Sequence, residues 1–188
     1  MDWDAVAEEH RDVVREVLAV LRPAIEAAAA GMADCIRRGG KVLVCGNGGS
    51  AADAQHFAAE LINRFQRERR PYAGLALTTD SSVLTSIAND YDYSQVFSKQ
   101  VEALGRPGDV LLAISTSGNA GNVCCAVEAA KASGLRTVAL CGGLGGHLAE
   151  QADEVLSVAC SPVTARIQEG HGLIIHILCQ LLEEQLAE

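Results

Sequence analysis

Two short segments of this chain carry residue types suited to holding an oxyanion. CGNGGSAA occupies Cys45–Ala52 and ISTSGN occupies Ile114–Asn119. Glycines let backbone N–H groups come close to an anion, and a helix start adds partial positive charge. Ser115, Thr116 and Ser117 add hydroxyl donors. The bland readings are a structural tight turn for the first segment and a helix cap for the second. One hydroxyl suffices for a cap, and three in a row favour an anion. A phosphorylated ligand held between the two segments is the expected occupant. A second set of residues could act on it. His56 and Glu60 stand four apart on one helical stretch and share its face, a spacing that suits a metal-ligand pair, a base with its neighbour, or a hydrogen-bonded surface pair. Gln168 and His176 lie on the final helical stretch, eight residues or about 12 Å apart along its axis. They could converge only by reaching toward each other, or could serve one site with help from another subunit. His176 sits in the apolar stretch Leu173–Leu182, where the bland reading is a core histidine. His10, His147 and His171 receive no role.

Positioning these residues requires an alternation of strands and helices. Apolar runs at 41–45 and 109–114 read as buried strands, each leading into one of the two loops. Further strands are expected at 73–77, 136–141 and 154–159. Helices are expected up to Arg38 with a break at Pro23, then at 50–65, 81–88, 94–103, 121–133 and 164–186. Asn89-Asp90-Tyr91-Asp92 reads as a turn, and 142–146 as a glycine-rich turn. Val6, Val13, Val14, Val17, Leu18 and Leu21 form one stripe on the first helix. Such alternation implies a parallel sheet covered on both faces, with ligands bound beyond the strand ends at a switch in strand order. If the first and third strands are neighbours, both loops face one crevice.

The first loop also matches the loose dinucleotide pattern, as Gly46-x-Gly48-x-x-Ala51. The acidic ribose partner should then end the second strand about 20 residues on. Asp80 comes 34 positions after Gly46 (80 − 46), and Asn47 and Ser50 put polar side chains where a dinucleotide loop needs little. No lysine follows the glycines, so a Walker loop is excluded.

Composition narrows the classes further. The chain has 188 residues, enough for one domain with a full core. The organisation expected is a single domain over 1–188, with helices at 1–39 packing in an oligomer and an α/β core at 40–188. A net charge of −9 argues against a nucleic-acid surface. No apolar run reaches the roughly 18 residues that span a bilayer, and the acidic start MDWDAVAEEH is unlike a secretory signal. The 7 cysteines form no C-x-x-C pair and read as reduced, mostly buried thiols of a cytoplasmic protein.

Four stretches together are more specific than either loop alone: CGNGGSAADAQHFAAELINRF at 45–65, LTTDSSVLTSIANDYDY at 77–93, GDVLLAISTSGN at 108–119 and RIQEGHGLIIH at 166–176. With them the chain resembles the sugar isomerase (SIS) domain family, and within it the phosphoheptose isomerases, over essentially its whole length. The resemblance implies a three-layer α/β/α sandwich with a five-stranded parallel sheet in flavodoxin-like order, plus N-terminal helices. It implies a homotetramer that interconverts sedoheptulose 7-phosphate and glycero-manno-heptose 7-phosphate, beginning ADP- or GDP-heptose synthesis for lipopolysaccharide or other surface glycans. It places substrate contacts at Asn47, Gly48, Gly49, Ser50, Glu60, Asn89, Asp90, Ser115, Thr116, Ser117 and Gln168. It makes Glu60 and His176 the catalytic pair, and His56, Glu60, Gln168 and His176 the ligands of a zinc ion. Two positions depart from the pattern of some relatives: Ala120 stands where they have serine, and Ala165 where they have an acidic residue. A non-catalytic regulator of the same fold that binds the replication initiator DnaA is the alternative. Its pattern lacks the counterparts of Glu60 and His176, which this chain keeps.

Overall fold

A computed structural model of the protein describes residues 1–187. Helix α1 (Trp3–Ala19) and helix α2 (Arg22–Arg37) lead into β1 (Val42–Gly46) and α3 (Gly49–Ile62). The chain continues through β2 (Gly74–Ala76), α4 (Ser81–Asp90), a 3-10 turn at Tyr93–Gln95 and α5 (Ser98–Leu104). Then come β3 (Val110–Ser115), α6 (Gly121–Ala132), β4 (Arg136–Gly142), α7 (Gly146–Gln151), β5 (Glu154–Val158) and α8 (Thr164–Gln185).

All five strands are parallel, in the order β2-β1-β3-β4-β5. This is the expected flavodoxin-like arrangement, with β1 and β3 adjacent and β2 outside β1. Their register pairs Val42 with Val110 and Gly46 with Ile114, so the two loops leave the sheet side by side. Every residue of β1 and β3 is buried. That explains why both read as continuous apolar runs rather than alternating ones. The buried carboxylate of Asp109 ties the opposite ends of the two strands, accepting from the Lys41 N–H at 2.9 Å, from the Lys41 ammonium and from the Arg106 N–H.

Each face of the sheet has its own core. On one side Val13, Val17, Ile25, Met32, Phe57, Ile174 and Leu178 join the strand residues, so α1, α2, α3 and α8 form one layer. On the other, Phe97, Val101, Val123, Val127 and Leu148 do so, from the segments around α5, α6 and α7. The result is the three-layer sandwich expected. The N-terminal helices therefore build this chain's own core, α1 through Val13 and Val17, while Leu18 of the same stripe is 53% exposed.

Several local expectations are corrected. Asn89 and Asp90 close α4 instead of forming a turn. Asp80 is the N-cap of α4, its carboxylate accepting from the Val83 N–H at 3.0 Å, and does not end a strand. Helix α7 follows the glycine turn where none was expected, and α3 stops at Ile62, three residues early.

Candidate active site

The first loop turns on Gly48, whose φ of 57° and ψ of −119° are open to glycine and strained for other residues. Gly49, the first residue of α3, is glycine for a different reason. A Cβ there would stand 2.4 Å from the Gln168 side-chain nitrogen, so the Gln168 amide rests directly on the loop backbone. Asn47 faces β3's side of the crevice. It exchanges two hydrogen bonds of 2.8 Å with the buried Asn122 of α6 and accepts one from the Tyr93 hydroxyl at 3.3 Å. These contacts tie the first loop to the first turn of α6, which follows the second loop. Neither Asn122 nor Tyr93 stands out in the sequence as a site residue. Asn122 is legible only as a polar residue in the first turn of a helix that follows a phosphate-type loop.

The second loop begins inside β3, since Ser115 is the last strand residue and is buried. Its hydroxyl lies 3.5 Å from that of Ser117. Ser117 also accepts from the Asn119 N–H at 3.2 Å, so the local turn uses one of its lone pairs. Gly118 lies against the backbone of Gly145, where a Cβ would fall 1.9 Å from the carbonyl oxygen. Asn119 reaches across to accept from the His147 N–H at 3.0 Å. Ala120 occupies the N-cap of α6 and offers no side-chain cap.

Helices α3 and α8 run side by side in the same direction, because Gln168 meets Gly49 and His176 meets His56. The eight-residue gap on α8 is matched by seven residues on α3. His56 Nε2 stands 3.4 Å from His176 Nε2 and 3.3 Å from Glu60 Oε1. The two imidazoles meet edge to face, with centroids 5.0 Å apart, and Phe65 stacks on the other side of His176 at 5.6 Å. His176 is therefore exposed and part of the site. The core histidine of α8 is His171 instead. It is wholly buried, its Nε2–H donates to the Cys141 carbonyl at 3.0 Å, and burial pushes its pKa down to about 4. Five residues along a helix turn the side chain by about 140°, which separates the two roles. Beside His56, Asp53 holds a carboxylate oxygen that is buried with no partner among the described residues. Burial raises its pKa, opposed by the charge of His56.

His56, Glu60 and His176 thus come together, while Gln168 lies at the loop. Asn89 and Asp90 are exposed at the end of α4 and bond to each other at 2.9 Å. His10 pairs with Glu169 at 2.9 Å on the surface. All seven cysteines are free thiols, and burial pushes Cys45 and Cys179 up to about 12. Neither is suited to nucleophilic work.

A tetrahedral zinc with bonds of about 2.0–2.1 Å has donor–donor edges of about 3.3–3.4 Å. The two edges from His56, to Glu60 and to His176, have that length. Among the described residues no three His, Cys, Asp or Glu side chains close into a complete metal-holding group as they stand. The donor types and these two edges suit zinc at His56, Glu60 and His176, while Gln168 rests on Gly49.

Comparison with known proteins identifies the family. Residues 7–142 match the family model described as SIS domain. The phosphoheptose isomerase of Thiobacillus denitrificans is 59% identical over 168 residues, covering 88% of this chain and 85% of its own. The structure of phosphoheptose isomerase from Neisseria gonorrhoeae superposes with a TM-score of 0.91 at 47% identity, and that of a phosphoheptose isomerase from Francisella tularensis with 0.92 at 43%. Each covers 96% of both chains.

Proposed function

The chain belongs to the SIS domain family and, within it, to the phosphoheptose isomerases, and we propose that it interconverts sedoheptulose 7-phosphate and D-glycero-D-manno-heptose 7-phosphate through an enediol. The observation that carries this reading is the meeting of Glu60 and His176 at His56, on the two helices that also bring Gln168 onto the first loop. The identity with phosphoheptose isomerases and the presence of both Glu60 and His176 disfavour the non-catalytic regulator.

An aldose–ketose isomerase must take a proton from the carbon next to a carbonyl and return it one carbon away. Glu60 is the base that does both. His176 donates to the carbonyl oxygen and can assist ring opening. His56 Nε2 stands 3.3 Å from Glu60 Oε1 and 3.4 Å from His176 Nε2, and its one ring nitrogen can pair with either at a time. The two loops hold the phosphorylated sugar: Gly48, Gly49 and Ser50 from one side, Ser115, Thr116 and Ser117 from the other, with Asn47 locked between them by Asn122. Gln168, lying over Gly49, would contact the sugar. Asn89 and Asp90, exposed at the end of α4, are assigned to substrate as well.

Zinc is the cofactor proposed: His56, Glu60 and His176 would hold it, and Gln168, which rests on Gly49, would complete the set by turning toward them. It would polarise the carbonyl as a Lewis acid. Glu60 then keeps one oxygen for proton transfer. The assembly proposed is a homotetramer. Its support is an apolar groove of about 290 Å³ between α1, α2 and α8, lined by Val17, Leu18, Ile25, Ile177 and Leu181 with Arg22 and Glu26 at its rim. The proposed setting is the cytoplasm, at the start of heptose supply to surface glycans. No helix among the described residues is long and apolar enough to cross a membrane. The test is an isomerase assay on sedoheptulose 7-phosphate, run with chelator and with zinc restored. Formation of the aldose is expected, and its absence under every condition would overturn the reading.

A further inference from the structure

We propose that Phe65 is a positioning residue for His176, and that a buried Glu183–Arg69 pair holds Phe65 in place and fixes the end of α3 that carries Glu60. This inference rests on the isomerase reading of the site.

An imidazole on an exposed helix face turns broadly about its terminal torsion. His176 is held on both sides. The ring of Phe65 lies 5.6 Å from it with 29° between the planes, and His56 meets it edge-on at 84°. His56 is itself on a helix, but Phe65 lies in the irregular segment that follows α3, which by itself has no reason to present a ring at one angle. Glu183 supplies the reason. It is buried on α8, seven residues beyond His176 and so on the same helix face. Its two carboxylate oxygens accept the N–H groups of Phe65, Gln66 and Arg67, each at 3.0 Å, and Arg69 Nε at 3.1 Å. Burial alone would raise the Glu183 carboxyl, but these donors outweigh it and hold it below the ordinary range. The same Arg69 guanidinium donates to the Glu60 carbonyl at 2.7 Å and to the Leu61 carbonyl at 3.0 Å, and stacks on Tyr72. One ion pair therefore fixes the loop that bears on His176 and the last turn of the helix that carries Glu60. Neither Phe65 nor Glu183 needs to touch substrate for this.

The experiment compares Phe65→Leu, which keeps apolar bulk, with Phe65→Tyr, which keeps the ring. Misplacing a catalytic group commonly costs about 10–100-fold. Phe65→Leu is expected to lower kcat by about that factor, with KM within about twofold of wild type, and Phe65→Tyr to restore most of kcat. A Phe65→Leu enzyme with wild-type kcat would overturn the proposal. So would an equal loss in both variants, which would mark a packing role only. The His176 ring-proton resonances supply a readout independent of turnover. Phe65→Leu should remove the ring-current displacement that Phe65→Tyr keeps, and unchanged shifts would overturn the proposal. If wild type does not isomerise the heptose phosphate, the functional reading fails, while the resonances still decide the positioning.

Discussion

His56 and His176, 120 positions apart in the chain, meet edge to face with their Nε2 atoms 3.4 Å apart. Helices α3 and α8 run in the same direction against the same face of the sheet, so equal steps along each keep their side chains in register. That parallel packing brings His56, Glu60 and His176 together within one chain. It also gives Gln168 and His176 each a neighbour on α3, Gly49 and His56 respectively.

Replacing Glu60 by Gln keeps shape and removes the basic carboxylate. General acid–base contributions are typically about 10²–10⁴-fold, and kcat is expected to fall at least that far with the fold intact by circular dichroism. Near-normal turnover would take Glu60 out of the mechanism.

Ser115→Ala and Ser117→Ala should each weaken binding of phosphorylated sugar by about 1–3 kcal/mol, the scale of hydrogen bonds to charged groups. Calorimetric titration with sedoheptulose 7-phosphate reads this directly. If the double variant binds like wild type, the Ser115–Ser117 segment serves only to shape the turn into α6.

Ala120 has the extended backbone of an N-cap, with φ −69° and ψ 113°, but no hydroxyl to cap α6. Ala120→Ser should stabilise the fold by roughly 0.5–2 kcal/mol, the usual worth of such a cap. It should leave sugar-phosphate binding unchanged or tighter. Thermal unfolding that shows no gain would mean that the serine turns away from the helix.

Much of this architecture is legible in the sequence, for a physical reason. β1 and β3 are buried on both faces, so KVLVC and DVLLAI are continuous apolar runs, and the loops after them sit where parallel strands place ligands. His56 and Glu60 are legible because helical spacing is local. The pairing of Phe65 with Glu183 spans 118 positions, and no local pattern announces it. The exchange of roles between His171 and His176 follows from which way α8 faces. Both stand among apolar residues, and only the packed sheet decides that His171 points inward. Helix α7 is six residues long and follows a glycine run, so its periodicity is too short to read.

His171 makes the fold sensitive to acid. Its pKa is pushed from 6.5 to about 4 by burial. Between those values the unfolded chain holds a proton that the folded chain refuses. Stability therefore falls as pH drops from about 6.5 toward 4 and levels off below, by about 3 kcal/mol in all. His171→Gln does not titrate and should flatten the slope of stability against pH in that window. Identical slopes from denaturant unfolding would contradict the assignment.

The groove formed by Val17, Leu18, Ile25, Ile177 and Leu181 is expected to close in a tetramer. Sedimentation should show a species near four times the 19.7 kDa of the chain. A fully active monomer at assay concentration would defeat the packing argument.

The most direct measurement is turnover of sedoheptulose 7-phosphate by the purified protein, followed by NMR of the sugar, before and after chelation and with zinc restored. Appearance of glycero-manno-heptose 7-phosphate, lost on chelation and regained with zinc, is the result expected. Failure to form the aldose with zinc present, by a protein that is folded and binds the sugar phosphate, would contradict the assignment of Glu60 and His176 as an isomerase pair.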